Sequence, residues 1–253
     1  MILRCLRTSR CSLRGLALER AGKNEDVAFL RCESPFVVNE QITQALRLSP
    51  GSQSPFRAVV VTGLDALPID AYHVHDGNII DVIDAIASSG LPTIASAEGR
   101  ITGAGTEMAL ACDIVYASDA ATFAIDQILH GFMPGAGGTS RLSRSVGKSL
   151  AMEMALSGEA ITAPEAKAAG LVSRIFPSKR LQKESLHRAE ILAGKSPLIL
   201  QMARNAVLTS LETNLREGLA TEAQLFEATF TTKDREEGMR AHLEGRPPQW
   251  KGE

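Results

Sequence analysis

The residues best placed for chemistry lie in Ala97-Glu98-Gly99-Arg100-Ile101-Thr102-Gly103-Ala104-Gly105-Thr106-Glu107-Met108-Ala109-Leu110-Ala111-Cys112-Asp113. This stretch reads as a strand, a glycine-rich turn and a short helix. Gly103, Ala104 and Gly105 carry almost no side chain, so a ligand can come close to the backbone. The first N–H groups of a helix lack an intrahelical acceptor and can point at an anion or a developing oxyanion. Glu107 falls one turn along from Ala104, on the same face. With Met-Ala-Leu-Ala behind it, its carboxylate is expected in apolar company, which raises a carboxyl pKa and suits proton transfer. The plain alternative is a small-residue helix packed on a sheet with Glu107 at its rim, and spacing alone does not choose between the two.

A second candidate stretch runs from Phe123 to Thr139 and includes Asp126, Gln127 and the turn Pro134-Gly135-Ala136-Gly137-Gly138-Thr139. Its glycines again let backbone approach a ligand, and Thr139 is placed to cap a helix carrying Arg141 and Arg144. A phosphate-loop reading fails, because no Lys-Ser/Thr pair closes the glycines. Other candidates are weaker. Cys5, Cys11, Cys32 and Cys112 have no metal-ligand spacing, and Cys112 reads as a small core residue. His73 and His75 beside Asp76 would share a face on a strand, but no third ligand accompanies them, so no metal is assigned.

Elements must hold these residues in place. Short runs rich in Val, Ile, Phe and Thr predict strands over Val27–Cys32, Ala58–Thr62, Thr93–Ala97, Asp113–Ala117, Thr122–Ile125 and Leu171–Phe176. Helical spacing predicts helices over Asn78–Ser88, Gly103–Ala111 and Lys148–Leu156. After Phe176 no strand signal returns. Ser178–Ala193, Pro197–Leu211, Leu215–Phe230 and Asp234–Leu243 read as four helices, with Pro177 and Pro197 at helix starts and Pro247–Pro248 as a stop. The expectation is an α/β core over residues 23–177 and a helical region over residues 178–253. That region is too small for its own core, so it covers the first part or a neighbouring subunit.

Composition removes several classes. The 253 residues are 44% hydrophobic and 22% charged, with a net charge of −2, which excludes a disordered chain. No apolar run is long enough to span a bilayer. Aromatics at 4% argue against a stacking platform for nucleic acid. Residues 1–22 hold five arginines, no lysine and one acid, leaving 22 bases and 28 acids, a net −6, in the rest. An Arg-rich, acid-poor leader with interspersed leucines predicts a mitochondrial transit peptide over residues 1–22, cut near Gly15–Lys23 and outside the fold.

The order and spacing of the two candidate stretches resemble the enoyl-CoA hydratase (crotonase) family. One family signature resembles the Gly103–Glu107 turn with Cys112-Asp113, the other Pro134-Gly135-Ala136-Gly137-Gly138-Thr139-Ser140-Arg141-Leu142. The likeness runs on through Gly147–Glu153, Ala166–Val172 and Asp234–Met239, over roughly residues 56–253. It implies a crotonase-like spiral of ββα repeats with an α-helical C-terminal oligomerisation region that builds homotrimers or hexamers. It also implies an acyl-CoA thioester as partner and coenzyme A as part of the substrate, with no separate cofactor. The thioester oxygen would be held by two backbone N–H groups, which map to Ala104 and Ile69, beside Asp70. Of the two glutamates that hold the hydrating water in such enzymes, the first maps to Glu107.

The second glutamate position is Gln127, whose amide can hold water but moves no proton at neutral pH. Its neighbour Asp126 is a candidate substitute, but on a strand or turn it is expected to point elsewhere. In the loop Leu67-Pro68-Ile69-Asp70, Pro68 fixes φ where the family has glycine. The expected function is a mitochondrial-matrix enoyl-CoA hydratase of fatty-acid or branched-chain oxidation, weakened by Gln127. The alternative is a non-catalytic or RNA-associated member, to which Arg174–Lys195, with six bases and two acids, gives limited support.

Overall fold

The computed structural model describes residues 10–13, 16–32, 56–67 and 79–253. In chain order its strands are β1 (Arg10–Leu13), β2 (Leu16–Ala21), β3 (Val27–Cys32), β4 (Ala58–Thr62), β5 (Thr93–Ala97), β6 (Arg100–Ile101), β7 (Ile114–Ser118), β8 (Thr122–Phe123), β9 (Ile161–Thr162) and β10 (Arg174–Phe176). The helices are α1 (Ile79–Ala87), α2 (Ala104–Ala111), α3 (Gly138–Ser157), α4 (Ala163–Ala169), α5 (Ser178–Ala193), α6 (Pro197–Glu212), α7 (Leu215–Thr229) and α8 (Lys233–Glu244).

Seven strands form one sheet in the order β1-β2-β3-β4-β5-β7-β10. From β3 onward every pairing is parallel, in registers such as Val27 opposite Ala58 and Ile94 opposite Ile114. Parallel strands covered on both faces need apolar residues at every position, which explains the unbroken Ala-Val-Val-Val of β4. Val59 and Val61 join one core with Ile83 and Ile86 of α1 and Met108 of α2. Val60 faces the other way with Phe29, Ile94 and Tyr116, against Leu181 and Ala189 of α5. Each fully buried side chain of this size contributes about 1.5–3 kcal/mol. The first of the C-terminal helices is therefore part of the core of its own sheet. A small second sheet, β6-β8-β9, lies beside the first.

Residues 1–22 were expected outside the fold, but Arg10–Leu13 lies in the large sheet as β1, and so does Leu16–Ala21. As β2 it pairs antiparallel with β3 from Leu16–Cys32 to Ala21–Val27, with Ala17 and Leu18 buried. The apolar Leu-Ala-Leu run that resembled a leader also suits a strand whose neighbouring residues are buried on opposite faces. Smaller differences concern boundaries, and β8 ends at Phe123 rather than Ile125. Asp113 precedes its strand and accepts from Thr93 N–H, Thr93 Oγ1 and Arg204 Nε instead. Leu171 and Val172 close the end of α4 rather than open β10. The helix expected at Lys148–Leu156 is the second half of α3, which begins at Gly138 and kinks at Gly147. The same region holds α4, which the periodicity did not give.

Beyond α5, helices α6–α8 carry exposed apolar side chains, among them Leu211, Leu215, Phe226, Phe230 and Leu243. Arg204 anchors α6 through a two-pronged contact with Asp113 and a 2.8 Å bond to the Ala87 carbonyl.

Candidate active site

Strand β6 runs through Thr102 and Gly103 straight into α2, and Thr106 fastens the junction. Its hydroxyl lies 3.1 Å from the Ile101 carbonyl and 2.8 Å from that of Ala124, joining the helix start to β6 and to the chain leaving β8. A Cβ on Gly105 would collide with the Leu64 carbonyl, so only glycine lets the helix lie this close. Ala104 is buried at the first helical position, where an N–H has no acceptor within the helix.

One turn on, Glu107 is wholly buried. Its Oε1 accepts from the Ala136 and Gly138 N–H groups, both at 2.8 Å, and its Oε2 accepts from Gln127 Nε2 at 3.1 Å. The backbone reaches the carboxylate because Gly138 has no side chain. A Cβ there would stand 2.8 Å from Glu107 Cγ and Oε1. Burial raises the Glu107 pKa above the ordinary glutamate value. The Gly138 and Ala136 N–H groups, nearby Arg141 and Gln127 oppose that rise without cancelling it. Burial was expected, but the company is polar donors rather than the apolar surroundings the sequence suggested.

Thus the structure brings Glu107, Gln127 and the Ala104 position together. Gln127, also wholly buried, opens a 3₁₀ turn over Gln127–His130. The glycine-rich turn at 134–138, expected to approach a ligand, approaches Glu107. Thr139 lies inside α3 rather than capping it, since the cap is Gly137 with φ 90°. Asp126, expected to point away from Gln127, does not. A Cβ on Gly103 would lie 3.4 Å from Asp126 Oδ1 and 3.7 Å from Gln127 Cδ and Nε2, so both side chains border the same glycine. Asp126 has φ −97° and ψ 8°, a turn conformation in which strand alternation does not apply. Ile69, Asp70, Pro68, His73 and His75 lie outside the described residues. Cys32 and Cys112 are buried free thiols, and burial pushes the Cys32 pKa up to about 12, far from a reactive thiolate.

The Ala136 and Gly138 N–H groups and the inward Asp126 are the site features that the sequence did not give. Backbone donors 29 and 31 residues from their acceptor leave no local pattern to read.

The profile of the enoyl-CoA hydratase/isomerase family matches residues 40–253. The chain is 39% identical over 251 residues to "Enoyl-CoA hydratase, mitochondrial" of Pongo abelii, covering 92% of this chain and 86% of that protein. It is 52% identical over 161 residues to the 2,3-dehydroadipyl-CoA hydratase of Escherichia coli, covering 64% of this chain and 63% of that one. Among solved structures, an enoyl-CoA hydratase from Bacillus anthracis superposes with a TM-score of 0.81 at 26% identity, over 95% of this chain and 100% of that one.

Proposed function

The chain belongs to the enoyl-CoA hydratase/isomerase family, and on that premise we propose that it adds water across the double bond of 2-enoyl-CoA thioesters. The observation that carries the reading is Glu107, buried with its pKa raised, one turn inside the helix that Ala104 opens. In this reaction the thioester oxygen rests on the Ala104 N–H, with the Ile69 N–H, next to Asp70 in the sequence, as second donor. Charge gathering on that oxygen then meets donors already in position. Water lies against Glu107 and Gln127. Gln127 orients it by hydrogen bonding and moves no proton, whereas Glu107 exchanges one. Coenzyme A enters as part of the substrate, and no further cofactor is assigned.

The finer reading places the enzyme in the mitochondrial matrix, in fatty-acid or branched-chain oxidation. The Arg-rich start of the chain and the mitochondrial relative support it. A leader compatible with β1 and β2 ends before Arg10, so N-terminal sequencing of organellar protein should find a start upstream of that residue. The apolar faces of α6–α8 support a homotrimer or a hexamer built from two, which light scattering measures.

Loss of the enoyl absorbance of crotonyl-CoA on adding enzyme tests the central reading. Hydration is expected. Binding without hydration would point to another enolate reaction, and absence of acyl-CoA binding would favour the non-catalytic or RNA-associated alternative.

A further inference from the structure

We propose that Asp126 is a second proton-transfer residue of this site, doing what the Gln127 amide cannot. The inference rests on the hydratase reading above. Asp126 is only 7% exposed, and its Oδ1 has no hydrogen-bond partner among the described residues. A buried carboxylate oxygen left without a donor is costly, so it calls for an explanation beyond packing. Capping does not supply one: Asp126 stands at the N-cap of the 3₁₀ turn, yet its side chain makes no cap hydrogen bond. That oxygen borders Gly103, one residue before the first N–H of α2, and Gln127 borders the same glycine. This oxygen, without a partner among the described residues, therefore lies beside the place where the thioester oxygen and the hydrating water would meet.

Hydration moves two protons, one off water and one onto the α-carbon. The Asp126 carboxylate takes the first as the water oxygen bonds to the β-carbon. The π electrons of the double bond shift through the thioester onto its oxygen, which the helix N–H holds. When that enolate collapses, its α-carbon takes the proton carried on Glu107. Transfer of a proton from Asp126 back to Glu107 through solvent restores both groups, and the net change is one water added. The burial that raises the Glu107 pKa favours its proton-carrying form before the reaction. Two carboxyl groups in different surroundings thus share work that one carboxyl and one amide cannot.

Asp126→Asn is nearly isosteric and tests the assignment. Its kcat for crotonyl-CoA hydration should fall by about 10², while KM, acetyl-CoA binding and thermal midpoint stay close to wild type. Adding Gln127→Glu to Asp126→Asn should restore about ten-fold of that loss, because a carboxylate then borders Gly103 again. The same Gln127→Glu change in the wild type should gain less than in the variant. A residue with only a structural role would lower the melting point and would not be rescued from the neighbouring position. Unchanged kcat, failure to fold or failure of the rescue each overturns the proposal. A wild type inactive on crotonyl-CoA would instead remove the hydratase reading, and this inference with it.

Discussion

At the start of α8, Asp234 accepts from Ser196 Oγ at 2.6 Å, Lys251 N–H at 2.8 Å and Gly252 N–H at 3.0 Å. In the first turns of α2, Glu107 also accepts from three donors, two from backbone and one from a side chain. Both carboxylates are buried. What separates them is where the donors fall. Asp234 has a backbone N–H on each oxygen, and Ser196, which also caps α6, adds a third bond. The donors come from two other pieces of chain, so the carboxylate works as a knot between α6, α8 and the C-terminal tail. Glu107 takes both backbone donors on Oε1, while Oε2 accepts from the Gln127 side-chain amide at 3.1 Å. Backbone therefore holds both oxygens of Asp234 but one oxygen of Glu107. The distribution of backbone donors is thus what separates the knot at Asp234 from the proposed proton carrier Glu107.

Removing each carboxylate should separate the two roles. Glu107→Gln is expected to lower kcat by about 10²–10⁴ and to leave the fold intact, since an amide oxygen can still accept from Ala136 and Gly138. Stability should move with pH in a defined direction. The folded protein raises the Glu107 pKa, so this group's ionisation costs stability as pH climbs from the ordinary glutamate range through the raised value. The melting advantage of Glu107→Gln should therefore grow over that window and vanish below it. Calorimetric scans across pH would expose an opposite trend.

Gly138→Ala attacks the same carboxylate from its backbone side. With the new Cβ 2.8 Å from Cγ and Oε1, Glu107 must shift. A misplacement near 1 Å costs up to about 10² in rate, so kcat should drop by about ten-fold or more, while acetyl-CoA still binds. Asp234→Ala should do the reverse. Leaving the Ser196, Lys251 and Gly252 donors without an acceptor is expected to cost about 1–3 kcal/mol in urea unfolding. Turnover per folded molecule should stay as in the wild type.

The two regions also differ in how far the sequence disclosed them. Glu107 and Gln127 were legible because two separated motifs stand in a recognisable order, and the α/β core followed from strand composition. The partners of Glu107 were not, because the turn at 134–138 signals only that backbone can approach something. Asp126 was misjudged because alternation holds on strands, and the chain has already left β8 when it reaches this residue. The fate of residues 16–21 turned on a similar ambiguity, since leucine and alanine between arginines serve a leader and an edge hairpin equally. Helix α4 was missed although its capping box, Thr162 with Glu165, and Pro164 stand openly in the sequence. At seven residues it is too short for periodicity to register. The knot at Asp234 joins residues 17 and 18 apart to each other and 38 apart to Ser196, distances at which no local signal operates.

The smallest expected effect comes from another acid of α8, and it runs opposite to Glu107. Glu237 accepts from Arg246 Nη1 at 2.6 Å, Arg240 Nη2 at 2.8 Å and Gln249 N–H at 2.9 Å. Arg246, then Arg240, then the Gln249 backbone hold its carboxyl well below the ordinary glutamate range. A depressed pKa stabilises the fold above the ordinary glutamate pKa, and that stabilisation is lost as pH falls through the ordinary range toward the depressed value. Glu237→Gln should therefore melt slightly below the wild type at neutral pH, with the gap closing in acid. The arginines are solvent-facing, so salt screens the contact and the gap should also narrow at high ionic strength. The Asp234→Ala loss should persist in salt, because its donors are a hydroxyl and backbone amides rather than charges. Equal salt sensitivity in the two variants would mean that Asp234 holds the tail by its charge and not by the geometry of its bonds.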